Sequence, residues 1–535
     1  MKKLNFIVPC VCLLVLLFSC KKDTTDPTPQ EMNKDVSFTK TSFATAVVQD
    51  TVPPSNAVSV KTYGAAGNGS TDDTKAIQNA INAQANVFLP KGTYIINQTL
   101  SMRSGVRIYG TNGAIIKAGA SITGALLSQG TFFSLKNVSK SWITNIRFQP
   151  SASKAFTIAS WANSAILLDN SSQNDVKYNF FDFKQPYATN GIEGIWVTDN
   201  SSNNYIGYNT MNTVGFVYEA GASNNIFIRN TITNAHYLGI AGYGNSTTAC
   251  SNNQLLNNTI TNSGYMGITD FKNCNATYIA ANYITGTGKS NLYGDSFGIS
   301  AVGVNTVITL NTLTDCQNQY IEVGGNSKTI THNTINDVKG IADGFLVNVT
   351  AAAGAGATVT TTTIDHNTIN GCNHAVAVIG NYNPSVSITN NSINNPFCMG
   401  VYVNSNATSY NIAITGNIIS LTKPNNQSRV AIGTYATAFY AAQQTTIGTN
   451  TITYATSAAG GLSTDYALLP RTNNVKLLSN TITANNIKNK QNSLVIGISA
   501  SANKYTGYTI TNNKFSGAYE DLSGYIGAIL SGNIL

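Results

Sequence analysis

Phe227-Ile228-Arg229-Asn230-Thr231-Ile232 and Leu255-Leu256-Asn257-Asn258-Thr259-Ile260 are copies of one phrase: an apolar residue, two variable ones, Asn, a variable residue and another apolar. The phrase occurs fourteen times, at Asn179, Asn209, Asn230, Asn258, Asn282, Asn311, Asn333, Asn367, Asn391, Asn417, Asn450, Asn480, Asn513 and Asn533. The spacing between successive Asn residues runs from 20 to 34. Self-similarity at that period means a stacked repeat architecture. Function in such a chain is expected on a lateral surface built from adjacent repeats.

Each repeat is too short and too poor in helix formers to be a helix pair. Its segments are three to five residues of Ile, Val, Thr and Tyr separated by Asn, Gly and Ser, which are strand and turn compositions. Coils of three short strands stacked on one another give parallel sheets along a solenoid. The Asn side chains are expected to stack between coils and satisfy turn backbone groups, with the flanking apolar residues inward. A leucine-rich repeat needs a stricter Leu consensus, and a propeller needs longer blades. The expectation is an all-β, single-stranded right-handed parallel β-helix.

The segment before the repeats supports this independently. Val60-Lys61-Thr62-Tyr63-Gly64 through Asp72-Asp73-Thr74 leads into Lys75-Ala76-Ile77-Gln78-Asn79-Ala80-Ile81. Thr71 or Asp72 suits an N-cap, and Ala76, Ile77, Ala80 and Ile81 form one apolar helical face. Val87 to Tyr94 and Val106 to Gly110 read as the first strands. Residues 58–118 resemble the N-terminal entry of the pectate lyase superfamily, the pectin-lyase-like β-helices. The resemblance implies a short capping helix over the open end of the stack and a carbohydrate polymer as ligand. Asp72 and Asp73 are expected to start that helix, not to catalyse.

Met1-Lys2-Lys3, the apolar run Phe6 to Phe18, and Leu17-Phe18-Ser19-Cys20 resemble the signal and lipobox of bacterial lipoproteins, with Cys20 as the lipidated residue. Lys21-Lys22-Asp23 resembles the start of surface-exported lipoproteins of Bacteroidetes-like bacteria. The expected organisation is a signal peptide (1–19), a flexible tether (20–55), a cap with first coils (56–120) and β-helix (121–535). Only 10% of residues are charged and 42% are hydrophobic, which excludes a disordered chain. The net charge of +8 falls slightly once Lys2 and Lys3 are removed. A mildly basic balance suits an acidic polymer. No Lys/Arg run with interleaved aromatics points to nucleic acid.

Cys250, Cys274, Cys316, Cys372 and Cys398 lie within the repeats. They read as small apolar core residues, with a Cys250–Cys274 disulfide the open alternative. No paired C-x-x-C spacing indicates zinc.

Complete catalytic motifs of the superfamily are missing. The polygalacturonase set and the Asp-Pro-His of alginate epimerases have no ordered match. Ile364-Asp365-His366-Asn367 resembles part of the pectate lyase Asp-His motif, but His366, like His332, precedes a ladder Asn and reads as turn decoration. A second phrase, Gly-Ile-x, appears as Gly194-Ile195-Trp196, Gly215-Phe216-Val217, Gly239-Ile240-Ala241, Gly267-Ile268-Thr269 and Gly298-Ile299-Ser300, with Tyr320-Ile321-Glu322 equivalent. With the Ile inward, alternation directs the following residue outward. Aligned coils bring Trp196, Tyr218, Glu219, Tyr243, Asp270, Phe271 and Glu322 to one side, with His236 and Asp295 at its edge.

Rings that stack on sugars and acids that bond hydroxyls make this strip the candidate site. Glu219, Asp270, His236, Asp295 and Glu322 are the catalytic candidates; Trp196, Tyr218, Tyr243, Phe271 and Lys272 are the substrate-binding ones. Acids on adjacent coils, about 5 Å apart, would suit a retaining glycosidase, and two coils, roughly 10 Å, an inverting one. A uronate lyase would instead need a base, with His236, Tyr243, Lys272 and Lys289 available and Ca²⁺ as a cofactor. The expected function is an exported polysaccharide lyase or glycoside hydrolase acting on an acidic glycan. A non-catalytic glycan-binding or adhesive β-helix is the alternative, and a purely structural surface protein a third. The expected partners are the polysaccharide and, through the lipid anchor, a membrane; the chain is expected to be a monomer.

Overall fold

In the computed structural model, residues 52–122, 131–150, 164–187, 191–245, 247–271, 273–290, 296–324, 327–337, 339, 342–349, 361–380, 385–405, 407, 409–422, 429–436, 441–455, 466–485, 494–496, 505–516, 519–520, 525–526 and 529–534 are described. Cys20, Lys272 and Asp295 lie outside them.

The fold is a right-handed parallel β-helix, with strands in three recurring tracks. The two apolar positions of the Asn phrase occupy two of these. Ile206, Phe227, Leu255, Ile279, Ile308 and Ile330 are successive register partners in one. Met211, Ile232, Ile260, Ile284, Leu313 and Ile335 are partners in the next. The third track carries the Gly-Ile phrase, aligning Ile195, Phe216, Ile240, Ile268 and Ile299. All these side chains are buried.

The Asn corner joins the first two tracks. Asn230 Nδ2 donates to Asn258 Oδ1 at 3.0 Å and to the carbonyl of Ile206, in the coil before, at 2.9 Å. The same Asn258 Oδ1 accepts the Asn230 backbone N–H at 3.0 Å. This pattern repeats from Asn179 to Asn333. The residue before each Asn turns the chain through the left-handed region, as at Tyr208 (φ 57), Arg229 (φ 53) and His332 (φ 56). His366 (φ 51) holds the same place, its Nδ1 2.5 Å from Asp365 Oδ2 on an exposed turn.

A second column lies five residues earlier. Asn174, Asn204, Asn225 and Asn253 form the same chain of backbone and amide hydrogen bonds to the next Oδ1. Cys250 and Cys274 are register partners on adjacent rungs and are free thiols. Cys316 and Cys372 are buried as expected of small core residues.

The N-terminal helix spans Thr74–Ala83 and buries Ile77, Ala80 and Ile81. Asp73 occupies the cap position without capping by its side chain; its carboxylate instead accepts the Ala66 and Gly67 N–H groups at 2.6 and 3.1 Å. Asp72 performs the capping, accepting the Thr74 N–H at 3.0 Å. At the other end Arg103 donates to the Ile81 and Gln84 carbonyls, both at 2.8 Å, where a cation complements the helix dipole. Both aspartates are therefore structural.

The described coils divide into two compact units, one of residues up to 322 with 328–336, the other of 323–327 with residues from 337 onward. In the second unit the ladder runs from Asn367 to Asn533 with the same bonds. No described helix is long and apolar enough to cross a membrane.

Asn258→Ala would strand the Asn230 backbone N–H and remove the side-chain donor to the Phe227 carbonyl and the Asn282 amide oxygen. A buried unpartnered group costs about 1–3 kcal/mol. The variant should lose about 2–4 kcal/mol, read as a lower urea midpoint; an unchanged midpoint would show that the ladder is ornamental.

Candidate functional site

The Gly-Ile track of the first unit decides which candidates face outward. Its glycines sit where coils approach most closely. A Cβ on Gly239 would lie 2.5 Å from the Gly267 carbonyl oxygen, and one on Gly267 2.6 Å from that of Gly298. From this corner the strands run in register, aligning Trp196, Val217, Ala241, Thr269 and Ser300 one residue after the inward Ile. Val197, Tyr218, Gly242, Asp270 and Ala301 align two residues after it.

That second row points inward, which corrects the placement of two candidates. Tyr218 and Asp270 are fully buried, because two residues beyond an inward Ile the pleat returns to the core. Tyr218 occupies the space that Gly242 leaves open, since a Cβ there would lie 2.2 Å from the ring. Its hydroxyl reaches across that coil to donate to Asp270 Oδ1 at 2.9 Å. Asp270 also accepts from Thr277 at 2.8 Å and Thr306 at 3.1 Å. Lys328, 2% exposed, completes the cluster, its Nζ 3.5 Å from Thr306 Oγ1. Thr277, Thr306 and Lys328 stand five residues before their ladder Asn, the offset of the second Asn column.

Burial raises the Asp270 carboxyl, opposed by its three hydroxyl donors and the Lys328 charge. Burial lowers the Lys328 amine to about 8, opposed by Asp270. This network is an internal substitute for the Asn column, and neither Tyr218 nor Asp270 can reach a ligand on the strip.

On the outer face, Glu219 and Tyr243 are register partners. Tyr243 stacks on Phe271 with centroids 4.9 Å apart, and Tyr237 stacks on Tyr265 at 5.3 Å. Trp196, Val217, Leu238, Ala241, Met266 and Phe297 form the buried base on which Tyr237, Tyr243 and Tyr265, all half-buried, rest. Glu219 accepts from Thr198 Oγ1 at 3.3 Å. Burial raises its carboxyl, opposed by Trp196 and Thr198 and helped by the Asp199 charge. The Trp196 indole N–H faces Glu219 without closing a hydrogen bond of its own. Burial also raises the Tyr243 phenol well above its ordinary range, as do Tyr237, Glu193, Glu219 and Tyr265 around it. Four rungs further on, Glu322 accepts from Ser300 Oγ at 2.8 Å.

His236 lies beneath this edge, 1% exposed. Its Nδ1 is 3.2 Å from the Thr213 carbonyl oxygen and its Nε2 3.6 Å from Glu193 Oε1. Glu193 Oε2 accepts the Gly215 N–H at 3.0 Å. Burial raises the Glu193 carboxyl, opposed by His236 and that N–H. Gly191 passes so close that a Cβ would lie 2.4 Å from the imidazole. Glu193, Tyr237 and Tyr265 were not among the sequence candidates. Their signals were present: Glu193 is the acid in a column otherwise held by Val214, Leu238, Met266 and Phe297. Tyr237 and Tyr265 share one offset before their glycines. The strip therefore joins Glu219, Tyr243 and Phe271 above a buried Trp196, with Glu322 separate and Asp270 and Tyr218 removed. Among the described residues no three His, Cys, Asp or Glu side chains are placed to hold a metal ion.

With this fold and this sheet face, the chain is similar to pectate-lyase-like β-helix proteins over its N-terminal part. Residues 57–269 match the family model described as rhamnogalacturonase A/epimerase, pectate lyase-like. Plasmin and fibronectin-binding protein A of Streptococcus pneumoniae is 31% identical over 105 residues, 18% of this chain and 14% of that protein. The preneck appendage protein of Bacillus phage PZA is 42% identical over 62 residues, 11% of this chain and 7% of that one. The chain thus spans no more than 14% of the length of these curated relatives. Among solved structures, the S. pneumoniae surface adhesin PfbA superposes with a TM-score of 0.43 at 16% identity, over 79% of this chain and 92% of its own.

Lys328 makes the interior network testable. With its folded value depressed to about 8, the unfolded chain binds more protons between there and the ordinary 10.5, so stability rises with pH across that window. Lys328→Met should flatten the increase in urea midpoint between pH 8 and pH 10.5 relative to the wild type. An identical slope in both proteins would contradict the buried placement.

Proposed function

We propose that the protein is an exported polysaccharide-binding β-helix whose ligand lies along the outer strip of coils 193–322. The observation that carries this reading is the pair of aromatic stacks, Tyr243 on Phe271 and Tyr237 on Tyr265, half-exposed beside Glu219. Half-exposed rings present flat apolar faces to pyranose rings, and a neighbouring carboxyl accepts from sugar hydroxyls. The turn of Asp270 into the core favours binding over two-carboxylate hydrolysis. It removes the partner that Glu219 would have had two coils away. Anchoring through Cys20 would place this face outside the cell.

Cleavage is the second reading, favoured by the raised carboxyl of Glu219. A carboxyl whose proton affinity burial has raised is the direction a general acid requires. Lyase chemistry would further need a cation for the uronate carboxylate.

A panel of uronate-containing and neutral polysaccharides separates the readings. Retention without products supports binding; unsaturated products absorbing in the ultraviolet mean a lyase; and new reducing ends without that absorbance mean a hydrolase. No binding to any member would overturn the proposal. Tyr243→Ala and Phe271→Ala should each weaken retention about tenfold, the scale of 1–1.5 kcal/mol for one stacked ring. Glu219→Gln should abolish turnover, if turnover is found, while retaining binding.

A further inference from the structure

The first track of the first unit carries, on its outer side, a column of rings and cations that neither the strip nor the core uses. Arg107, Trp142, Asp175, Tyr205 and Ile226 are successive register partners there. Lys177, two residues after Asp175, shares their side of the sheet. The Arg107 guanidinium lies 4.0 Å from the Trp142 ring centroid, and Lys177 Nζ lies 4.5 Å from it. One cation comes from the coil before the indole and the other from the coil after. Asp175 balances the Lys177 charge at 2.9 Å, within the column. At the neighbouring Asn corner Tyr178 stacks on Tyr208, with centroids 4.9 Å apart and planes 20° from parallel. Arg229 covers that pair from the next coil, 5.6 Å from the Tyr208 centroid, its Nη1 donating to the Tyr208 hydroxyl at 3.0 Å.

Trp142 and Tyr208 are thus covered on both faces, and a cation seated over a ring is held in place by it. What the column offers to solvent is its two arginines. Arg107 and Arg229 are exposed, and among the described residues neither has a carboxylate partner. They stand four rungs apart, about 19 Å along the stack. In the second unit, by contrast, an outward row of the same track holds Thr363, Ser387, Ala413 and Thr446. A fixed guanidinium presents a planar fork that suits a carboxylate. An extended pyranose chain advances by close to one rung spacing per sugar, so a chain lying along the stack keeps pace with the column.

We propose that this face of the first track is a second binding site, separate from the strip, and that its ligand is a polyuronate chain whose carboxylates bridge Arg107 and Arg229. The site rests on its own residues and on charge complementarity, whereas the strip offers ring faces. Trp142, Tyr208 and the Lys177–Asp175 pair are positioning groups that hold the two guanidiniums at a set separation. Single-stranded nucleic acid, the other regular polyanion, binds by stacking bases on open rings, and the sandwiched rings of this column leave no such face.

The test uses the full chain on immobilised polygalacturonate, with a neutral β-glucan and single-stranded DNA as comparison matrices. The wild type should be retained on polygalacturonate, and retention should fall as added salt screens the exposed charges. Arg107→Gln combined with Arg229→Gln should weaken that retention about tenfold, the scale of two exposed ionic contacts, and leave retention on glucan unchanged. Tyr243→Ala, in the strip, should leave the salt-sensitive part of polygalacturonate retention in place. Wild-type protein that ignores polygalacturonate, or holds it regardless of salt, would overturn the proposal without any variant having to fold. Equal retention of the double variant and the wild type would also overturn it. Loss of the salt-sensitive retention in Tyr243→Ala would move the acidic chain to the strip, and DNA held as tightly as polygalacturonate would reduce the column to a general polyanion contact; either result sinks this site and leaves the strip reading standing.

Discussion

The stacked asparagine amide is the interaction on which the rest of the structure depends. At each corner one carboxamide accepts the backbone and side-chain N–H groups of the coil before, and donates to the coils on either side. These bonds satisfy backbone groups that a tight turn would otherwise bury unpartnered. They also hold residues such as Tyr178, Tyr208, Arg229 and Leu310 in the left-handed region. That conformation costs a non-glycine residue about 1–2 kcal/mol. With corners fixed, the strands between them have one register, and their apolar residues stack Ile on Ile.

A rigid register makes surface chemistry a question of parity. One residue after an inward Ile, Trp196 and Ser300 lie on the outer side of the sheet, though buried there; two residues after it, Tyr218 and Asp270 belong to the core. Polar groups on the wrong side of such a sheet must be satisfied internally, and Asp270 is, by Tyr218, Thr277, Thr306 and the Lys328 charge. The same register makes the outer face useful. It places Tyr243 beside Glu219 and, in the second unit, sets Asp343, His374 and Met399 on successive rungs.

The fold was legible in the sequence because the repeat signal is redundant: fourteen copies tolerate variable coil lengths and still specify one corner. The second Asn column was equally present, at Asn174, Asn204, Asn225 and Asn253, and is visible once residues are counted back from the ladder. Glu193 could have been found as the acid in an apolar column. The exchange of duties between Asp72 and Asp73 could not, since both sit beside the helix start and only the path of Ala66 and Gly67 tells them apart.

The sequence by itself determined the solenoid, its parallel strands, the inward Ile columns and the coils richest in acids and aromatics. These follow from local periodicity and from turn chemistry, which act over a few residues. Tertiary structure alone decided that Glu219 and Tyr243 meet while Asp270 turns away. It also decided that Glu193 lies beside His236, and that Asp343 pairs with His374. The reason is that coil lengths differ from 20 to 34 residues, so lateral neighbours are set by how each turn spends its residues. A shift of one residue moves a side chain from solvent to core.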